Sequence, residues 1–451
     1  MYKRFFSIFL PVILLVSLLA GCSSSSSKSS SAPAGDSKTA AKSLKGDIVI
    51  GGWPSGDKAF EAIIPEFNKK YPDIKIKLEF QKSADHHNKL LTSLAAGSGA
   101  PDVTMIEAGY VGKFRDKKGF VNLLDNPYNA KRYEKDFVDY KWQMAIALDG
   151  KQMIAIPWDI GPLSMFYRRD IFKAAGLPDD PAEVQKLVAT WDGYLDTARK
   201  VSKPGERWMV TNAADIFMAK RANRDFYNQD LSFRFEDADS LKLLELCSTI
   251  RKEGLDAKVL ISSNEFNALL KEGKVATHIS GCWFGGFLKT FIAPESSGKW
   301  GVVRMPGSDT VTNWGGSFVG IPDQSKNKEA AWAFIEYAVA TKDAQNAMFK
   351  AVDYFPAFKP AWDDPMYKDP DPFFGNQKTR EFWVDVAKGT KPSFATIMDT
   401  QTQDIMRATV STGLDQGLAP KDIIEKGKQE ILKATDQDRK IMQDLIKNAK
   451  K

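Results

Sequence analysis

Apolar and polar positions after residue 45 follow two alternating patterns, one typical of strands and one of helices. Short apolar or alternating runs at 46–53 (GDIVIGGW), 73–80 (DIKIKLEF) and 101–107 (PDVTMIE) predict three strands. Between the first two, apolar residues recur at the spacing of one buried helical stripe: Phe60, Ile63, Ile64, Phe67 and Tyr71. Pro65 is expected to kink this helix or mark its first turn, and HNKLLTSLAAG predicts a second helix that ends at Gly97. This βαβα order predicts an α/β fold with a mostly parallel sheet and helices on both faces.

The same rhythm resumes beyond residue 160, and a chain of 451 residues is long enough for two domains. Further strands are predicted in MFYRR, VATHISGCW and KWGVVRMP, and an amphipathic helix in NKEAAWAFIEYAVATKDAQNAMFK. The C-terminal part is almost wholly helical in pattern, with Pro420 at the start of its closing segment. The chain shows no internal repeat of the solenoid kind.

The N-terminus has the pattern of an export signal followed by a tether. Lys3 and Arg4 precede a hydrophobic run that is short for a membrane span. The run ends in LAGC, which resembles the lipobox of bacterial lipoproteins and implies cleavage before Cys22 and lipidation of its sulfur; an ordinary signal peptide is the alternative. We therefore expect a signal peptide over 1–21 and a lipidated, Ser-rich flexible tether over 22–46. This predicts a protein anchored by lipid on the extracellular face of a cell membrane.

The distribution of charged residues, cysteines and histidines argues against several classes of function. The 63 basic and 57 acidic residues are dispersed along the sequence, so the sequence does not predict a basic patch of the kind that binds nucleic acids. Cys247 and Cys282 are predicted to be buried free thiols rather than a disulfide framework. The only histidines are His86, His87 and His278, whose spacing makes no metal site, and we expect neither a metal nor a cofactor. The adjacent pair His86 and His87 is expected at a solvated helix start, with a ligand contact by one of them as the alternative.

Seven separated segments together resemble the family 1 extracellular solute-binding proteins of ABC importers, the group that includes maltose-binding protein. They occur in family order between about residues 47 and 350: FEAIIPEFNKKYPDIK, KLLTSLAAGSGAPDV, IAIPWD, FYRRDIFKAAGL, EGKVATHISGCW, GVVRMP and GGSFVGIP. No single segment is specific to the family. The resemblance rests on the occurrence of all these segments in the family's order. The closing helices match the family only in character.

The resemblance implies a type 2 periplasmic-binding-protein-like fold, in which two α/β lobes joined by hinge crossings enclose a ligand. The crossings are expected near 158–162, 302–306 and 354–358. Residues 47–160 and 306–355 would form lobe 1, and 161–305 and 356–451 would form lobe 2. The resemblance also implies a carbohydrate ligand, an ABC permease as partner, and no catalysis. Lobe closure around the ligand is then the working step.

A pyranose has hydroxyl groups at its edges and apolar C–H faces, so its site needs flat aromatic rings and carboxylates. Candidates of these kinds stand at the expected strand ends and crossings: Trp53, Asp57, Glu107, Trp158, Asp159, Trp283, Trp314 and Gly315. The family's I-x-G-x-W pattern, here Ile279, Gly281 and Trp283, marks a stacking tryptophan. Competing roles stay open: core packing for Trp158 and Trp283, a helix cap for Asp57, a hinge or helix cap for Asp159, and a surface loop for Trp314. Four tryptophans predict a ligand of at least two sugar units.

Two alternative hypotheses about the function of these candidate residues stay open. A polyamine also fits aromatic rings with carboxylates, whereas a phosphorylated polyol would need an arginine or lysine among the candidates for the cleft, and none is expected close by. A surface-anchored glycoside hydrolase would use a carboxylate pair, but no segment resembles a hydrolase signature.

Overall fold

A computed structural model describes residues 44–222, 226–261, 263–307 and 313–449. The predicted signal peptide, Cys22 and the tether up to residue 43 lie outside the described residues. Within those ranges, none of the helices combines the length and the apolar character that crossing a bilayer requires.

The described strands form three sheets. Their bounds are β1 Gly46–Gly52, β2 Ile74–Phe80, β3 Val103–Glu107, β4 Ala155–Pro157, β5 Asp159–Ile160, β6 Leu163–Arg168, β7 Thr277–Gly281, β8 Trp300–Val303, β9 Ser317–Gly320 and β10 Phe355–Pro356. A five-stranded sheet has the order β2-β1-β3-β9-β4, a three-stranded sheet the order β7-β6-β8, and β5 pairs with β10.

The five-stranded sheet starts as the periodicity predicts. β1 pairs in parallel with β2 and with β3, and the side chains of β2 alternate between buried or half-buried and exposed. β9, however, runs antiparallel to both β3 and β4. In the three-stranded sheet, β6 is antiparallel to β7 and to β8. The prediction of a mostly parallel sheet is therefore wrong for the three-stranded sheet. Its strands are connected by long chain segments and not by single crossover helices.

Helices cover the sheets. Their bounds are α1 Gly56–Glu61, α2 Ile64–Lys70, α3 Ser83–Ala96, α4 Ala108–Arg115, α5 Asp139–Ala145, α6 Arg169–Ala174, α7 Pro181–Leu187, α8 Trp191–Val201, α9 Ala213–Ala219, α10 Ala238–Lys252, α11 Asn264–Lys271, α12 Phe284–Phe287, α13 Lys328–Val339, α14 Lys342–Val352, α15 Thr379–Lys388, α16 Asp399–Asp415, α17 Pro420–Ala434 and α18 Asp436–Ala449. A π-helical turn, Leu288–Ile292, continues α12, and short 3₁₀ turns fill several connections. Pro65 stands in the first turn of α2, and Gly97 ends α3 in the left-handed conformation, as predicted.

Two hydrophobic cores meet across the three-stranded sheet. In β6, Phe166 packs into the core that also contains the five-stranded sheet, while its neighbours Met165 and Tyr167 pack into a second core with α9, α10 and α16. This follows from the two-residue period of a strand that is buried on both faces. Cys247 and Cys282 are free and buried, as predicted.

Two chain segments connect the two larger sheets, and a third leads from α14 through β10 to the C-terminal helices. β5 leads from β4 to β6 and pairs antiparallel with β10. The return path runs between β8 and β9, where Asn313 bridges to Pro162. The crossing near 158–162 is thus paired with the segment near 354–358, and all three connections converge on one region. The limits of the lobes along the chain stay a prediction.

Candidate functional site

A cavity of about 200 Å³ lies where these connections converge. Six of the eight predicted site residues line it: Trp53, Glu107, Asp159, Trp283, Trp314 and Gly315. Phe287, Gly316, Ser317 and Tyr354 complete the lining. Two larger depressions, of about 530 and 600 Å³, lie beside α3 and beside Trp191, but each has at most two aromatic rings in its lining. The smaller cavity has five, which is the composition that a ligand with apolar faces requires.

The two tryptophans Trp283 and Trp314 are joined by a hydrogen bond at the centre of the site. Trp283 is the second residue after β7, and its Nε1–H donates to the Trp314 carbonyl oxygen at 2.8 Å. The Trp314 N–H in turn donates to the Gly161 carbonyl at 2.7 Å. A Cβ atom at Gly161 would lie 2.0 Å from the Trp314 oxygen, and one at Gly281 2.4 Å from the Trp283 Nε1 atom. Glycine is therefore required at both positions for the indole to reach its partner.

Asp159 places a carboxylate against the cavity. Its side chain is buried, and Oδ1 has no hydrogen-bond partner among the described residues. Burial raises the pKa of Asp159 to about 6; the Lys141 ammonium and hydrogen bonds from Ser317 oppose the rise, and the Glu107 carboxylate adds to it. Lys141 is itself buried and donates to the Gly315 carbonyl at 3.0 Å. An unbonded carboxylate oxygen in a site of this kind is an acceptor held ready for a hydroxyl or ammonium donor.

The sequence of the chain is similar to the sequences of known binding proteins. A family model described as bacterial extracellular solute-binding protein matches residues 62–374. The chain belongs to this family. It is 24% identical over 390 residues to the arabinooligosaccharide-binding protein of Bacillus subtilis strain 168, covering 81% of this chain and 83% of the relative. It is 28% identical over 358 residues to the lactose-binding protein of Rhizobium radiobacter, with coverage of 75% and 82%.

Solved structures confirm the predicted two-lobed α/β fold. A crystal structure of an extracellular solute-binding protein of family 1 superposes with a TM-score of 0.75 at 24% identity, covering 87% of this chain and 99% of that one. The ABC transporter associated binding protein of B. animalis subsp. lactis Bl-04, in complex with β-1,6-galactobiose, superposes with a TM-score of 0.72 at 21% identity and coverage of 88% and 98%.

In this solute-binding protein, the two adjacent histidines support the Trp53 side of the cavity. Both are buried in α3, so the expectation of a solvated helix start is wrong. His87 accepts a hydrogen bond from the Glu107 N–H at 3.0 Å. The His87 ring stacks on the Tyr110 ring with centroids 3.8 Å apart, and its centroid lies 5.3 Å from that of the Trp53 ring. Burial lowers the pKa of His87 to about 3, which keeps the ring neutral and Nε2 available as an acceptor.

Trp158 and Asp57 are the two predicted residues that the structure does not bring to the cavity. Trp158 is 1% exposed, stacks on Phe60 at 4.8 Å and meets the edge of Tyr354 at 5.5 Å. Successive side chains of an extended segment point to opposite sides, so when Asp159 faces the cavity, Trp158 faces the core. Asp57 lies in the first turn of α1, where its Oδ1 accepts from the Lys58 N–H at 2.9 Å. The structure therefore supports the core role for Trp158. Asp57 does not take the cap role, because Ser55 occupies the N-cap position of α1.

Five residues at the site are not among those predicted from the sequence. Tyr354 lies on the predicted third crossing, and Gly316 and Ser317 directly follow two predicted residues, so position alone identifies these three. Phe287 follows Trp283 by four residues, the spacing of one helix face. Lys141 in α5 gives no sequence signal, because its burial depends on contacts far away in the chain. Its presence corrects the expectation that no lysine lies close to the candidates.

The raised pKa of Asp159 predicts how ligand affinity depends on pH. Above about pH 6 the group is ionised and accepts a hydrogen bond; below it the group becomes neutral, so affinity should fall on acidification. At pH 5, one unit below this pKa, only about a tenth of the groups are ionised, and titration calorimetry should give about tenfold weaker binding than at pH 7. His87 and His278, whose pKa values burial lowers to about 3, do not titrate in this window.

Burial also raises the pKa of Asp215 to about 6, so a control is needed. Asp159→Asn removes only the cavity group. Loss of the pH dependence in this variant assigns it to Asp159, and an unchanged pH profile would contradict the assignment.

Proposed function

We propose that this solute-binding protein captures an oligosaccharide of at least two units and delivers it to an ABC importer, without chemical change. The observation that carries the proposal is that Trp53, Trp283, Trp314 and Tyr354 line the same cavity as Asp159, whose Oδ1 has no hydrogen-bond partner among the described residues. Flat rings match the apolar faces of pyranoses, and a buried carboxylate accepts from their hydroxyl groups. The match to the bacterial extracellular solute-binding family and the names of the relatives, an arabinooligosaccharide-binding and a lactose-binding protein, support the same class of ligand.

The anchoring and the permease partner belong to the same proposal. The LAGC motif at 19–22 supports lipidation of Cys22, and the Ser-rich tether would let the domain stand off from the outer face of the cell membrane. Closure of the two lobes around the ligand would create the surface that the permease recognises.

A ligand panel tests the proposal. The panel contains arabino-, galacto- and malto-oligosaccharides, their monosaccharides, and the polyamines putrescine and spermidine. A ligand present at 100 times its dissociation constant stabilises the folded protein by about 2.7 kcal/mol, which thermal unfolding detects. We expect stabilisation by oligosaccharides of one type, recovered unaltered after incubation.

The other outcomes contradict the proposal in distinct ways. Stabilisation by polyamines alone would assign the carboxylates Glu107 and Asp159 to ammonium groups. Consumption of the glycan, followed by chromatography, would favour a glycoside hydrolase.

A further inference from the structure

Three aromatic rings form a continuous row that starts inside the cavity and ends at the protein surface. Trp283 and Phe287 line the cavity, with ring centroids 5.2 Å apart. Phe291, four residues further on, lies 5.0 Å from Phe287. Its side chain is 57% exposed, the largest exposed fraction of any large apolar residue in the described part of the chain. The row therefore passes from enclosed to open surface without a gap.

The segment that carries Phe291 is held firmly from its other side. It is the π-helical turn Leu288–Ile292, whose first and last residues are both buried. Lys289 donates from Nζ to Asp353 Oδ2 and to Asp371 Oδ2, both at 2.7 Å. Because the turn is fixed in this way, the exposed ring of Phe291 is presented in one place, and little backbone ordering is left for a ligand to impose. Single π-helical turns of this kind are frequent at functional sites.

The size of the cavity makes an extension necessary for a longer ligand. Its volume of about 200 Å³ is below the range of about 300–1,000 Å³ found for pockets that enclose drug-sized molecules. An oligosaccharide held at Trp283 and Asp159 must therefore leave the cavity. The row of rings provides the apolar surface along one way out.

We propose that Phe291 is an outer subsite, on which a distal unit of the bound oligosaccharide stacks. This inference rests on the proposed carbohydrate function and deepens it. The proximal units occupy the cavity between Trp283 and Asp159, the chain passes Phe287, and the following unit covers the exposed face of Phe291. The protein thus selects longer glycans through a contact that a short one cannot reach.

Titration calorimetry on the intact protein tests the subsite. The probes are arabino-, galacto- and malto-oligosaccharides of two to five units, compared between the wild type and Phe291→Ala. We expect the shortest glycan that binds to keep its affinity, and the longer ones to bind about five- to tenfold more weakly in the variant; tenfold corresponds to about 1.4 kcal/mol. Phe291→Trp should restore the preference for longer glycans. Leu260→Ala, which truncates another exposed apolar side chain, 50% exposed, is the matched control and should change nothing.

Each other result overturns the proposal and separates its causes. Equal affinities of wild type and Phe291→Ala at every length would show that Phe291 contacts no ligand. An equal loss at every length would show that Phe291 acts by positioning Phe287. Failure of the wild type to bind any of these glycans would refute the proposed function itself.

Discussion

Trp283→Ala is expected to weaken oligosaccharide binding by about 1–3 kcal/mol, the range measured when an aromatic stacking platform for a nucleic-acid base is removed. In the cavity lining, the Trp283 ring lies 5.2 Å from the Phe287 ring, and the indole N–H of Trp283 donates to the Trp314 carbonyl oxygen. The substitution removes a platform and also releases the connection that presents Trp314. Because Trp283 is only partly buried, the free energy of unfolding should fall by less than the roughly 3–5 kcal/mol typical of a core tryptophan.

Trp191→Ala is the matched control, since Trp191 is also partly buried but packs against Tyr194 beside another depression. Calorimetry should show affinity lost in the first variant and kept in the second. Unchanged affinity in Trp283→Ala, together with a strongly destabilised fold, would return Trp283 to a purely structural role.

Asp159→Asn is expected to affect both binding and stability. The variant loses the ionised acceptor, and a hydrogen bond to a charged group contributes about 1.5–3 kcal/mol. It also leaves the buried Lys141 without the charge of Asp159, and breaking a buried pair costs roughly 3 kcal/mol of folding free energy. Denaturant unfolding measures the second effect and calorimetry the first.

Asp57→Asn is the appropriate control for this variant. Asp57 is a carboxylate near the start of α1 that does not line the cavity, so its replacement should leave affinity unchanged. A loss of affinity in Asp57→Asn that matched the loss in Asp159→Asn would mean that the ligand does not distinguish the two carboxylates and that the assigned cavity is incorrect.

Local pattern was sufficient to predict the first half of the five-stranded sheet. The alternation in β2, the first-turn position of Pro65 and the end of α3 at Gly97 each depend on a few neighbouring residues, and the structure shows them as predicted. The stripe at Phe60, Ile63 and Phe67 is buried as predicted, but it is divided between the two short helices α1 and α2 instead of lying on one helix. The directions of β6, β7 and β8 were not predictable in this way. Their pairing joins residues more than one hundred positions apart, such as Met165 with Ile279, and local periodicity contains no information about direction.

The site was predictable where chemistry and chain position coincide. Trp53, Asp159 and Trp283 stand at strand ends or crossings, and the fold brings those places together. Trp158 shows the limit of such reasoning, because the two-residue period of an extended chain allows only one member of the Trp-Asp pair to face the cavity. Lys141 and the histidine pair show another limit. Their burial depends on contacts that no sequence spacing reveals.

The most direct test of the central claim is a crystal structure of the protein with the oligosaccharide that stabilises it most. We predict that a sugar ring lies against Trp283 in the cavity and that one of its hydroxyl groups donates to Asp159 Oδ1, the oxygen that lacks a partner among the described residues. A ligand bound instead in the depression beside α3 or in the one beside Trp191, with the cavity at Trp283 empty, would contradict the account.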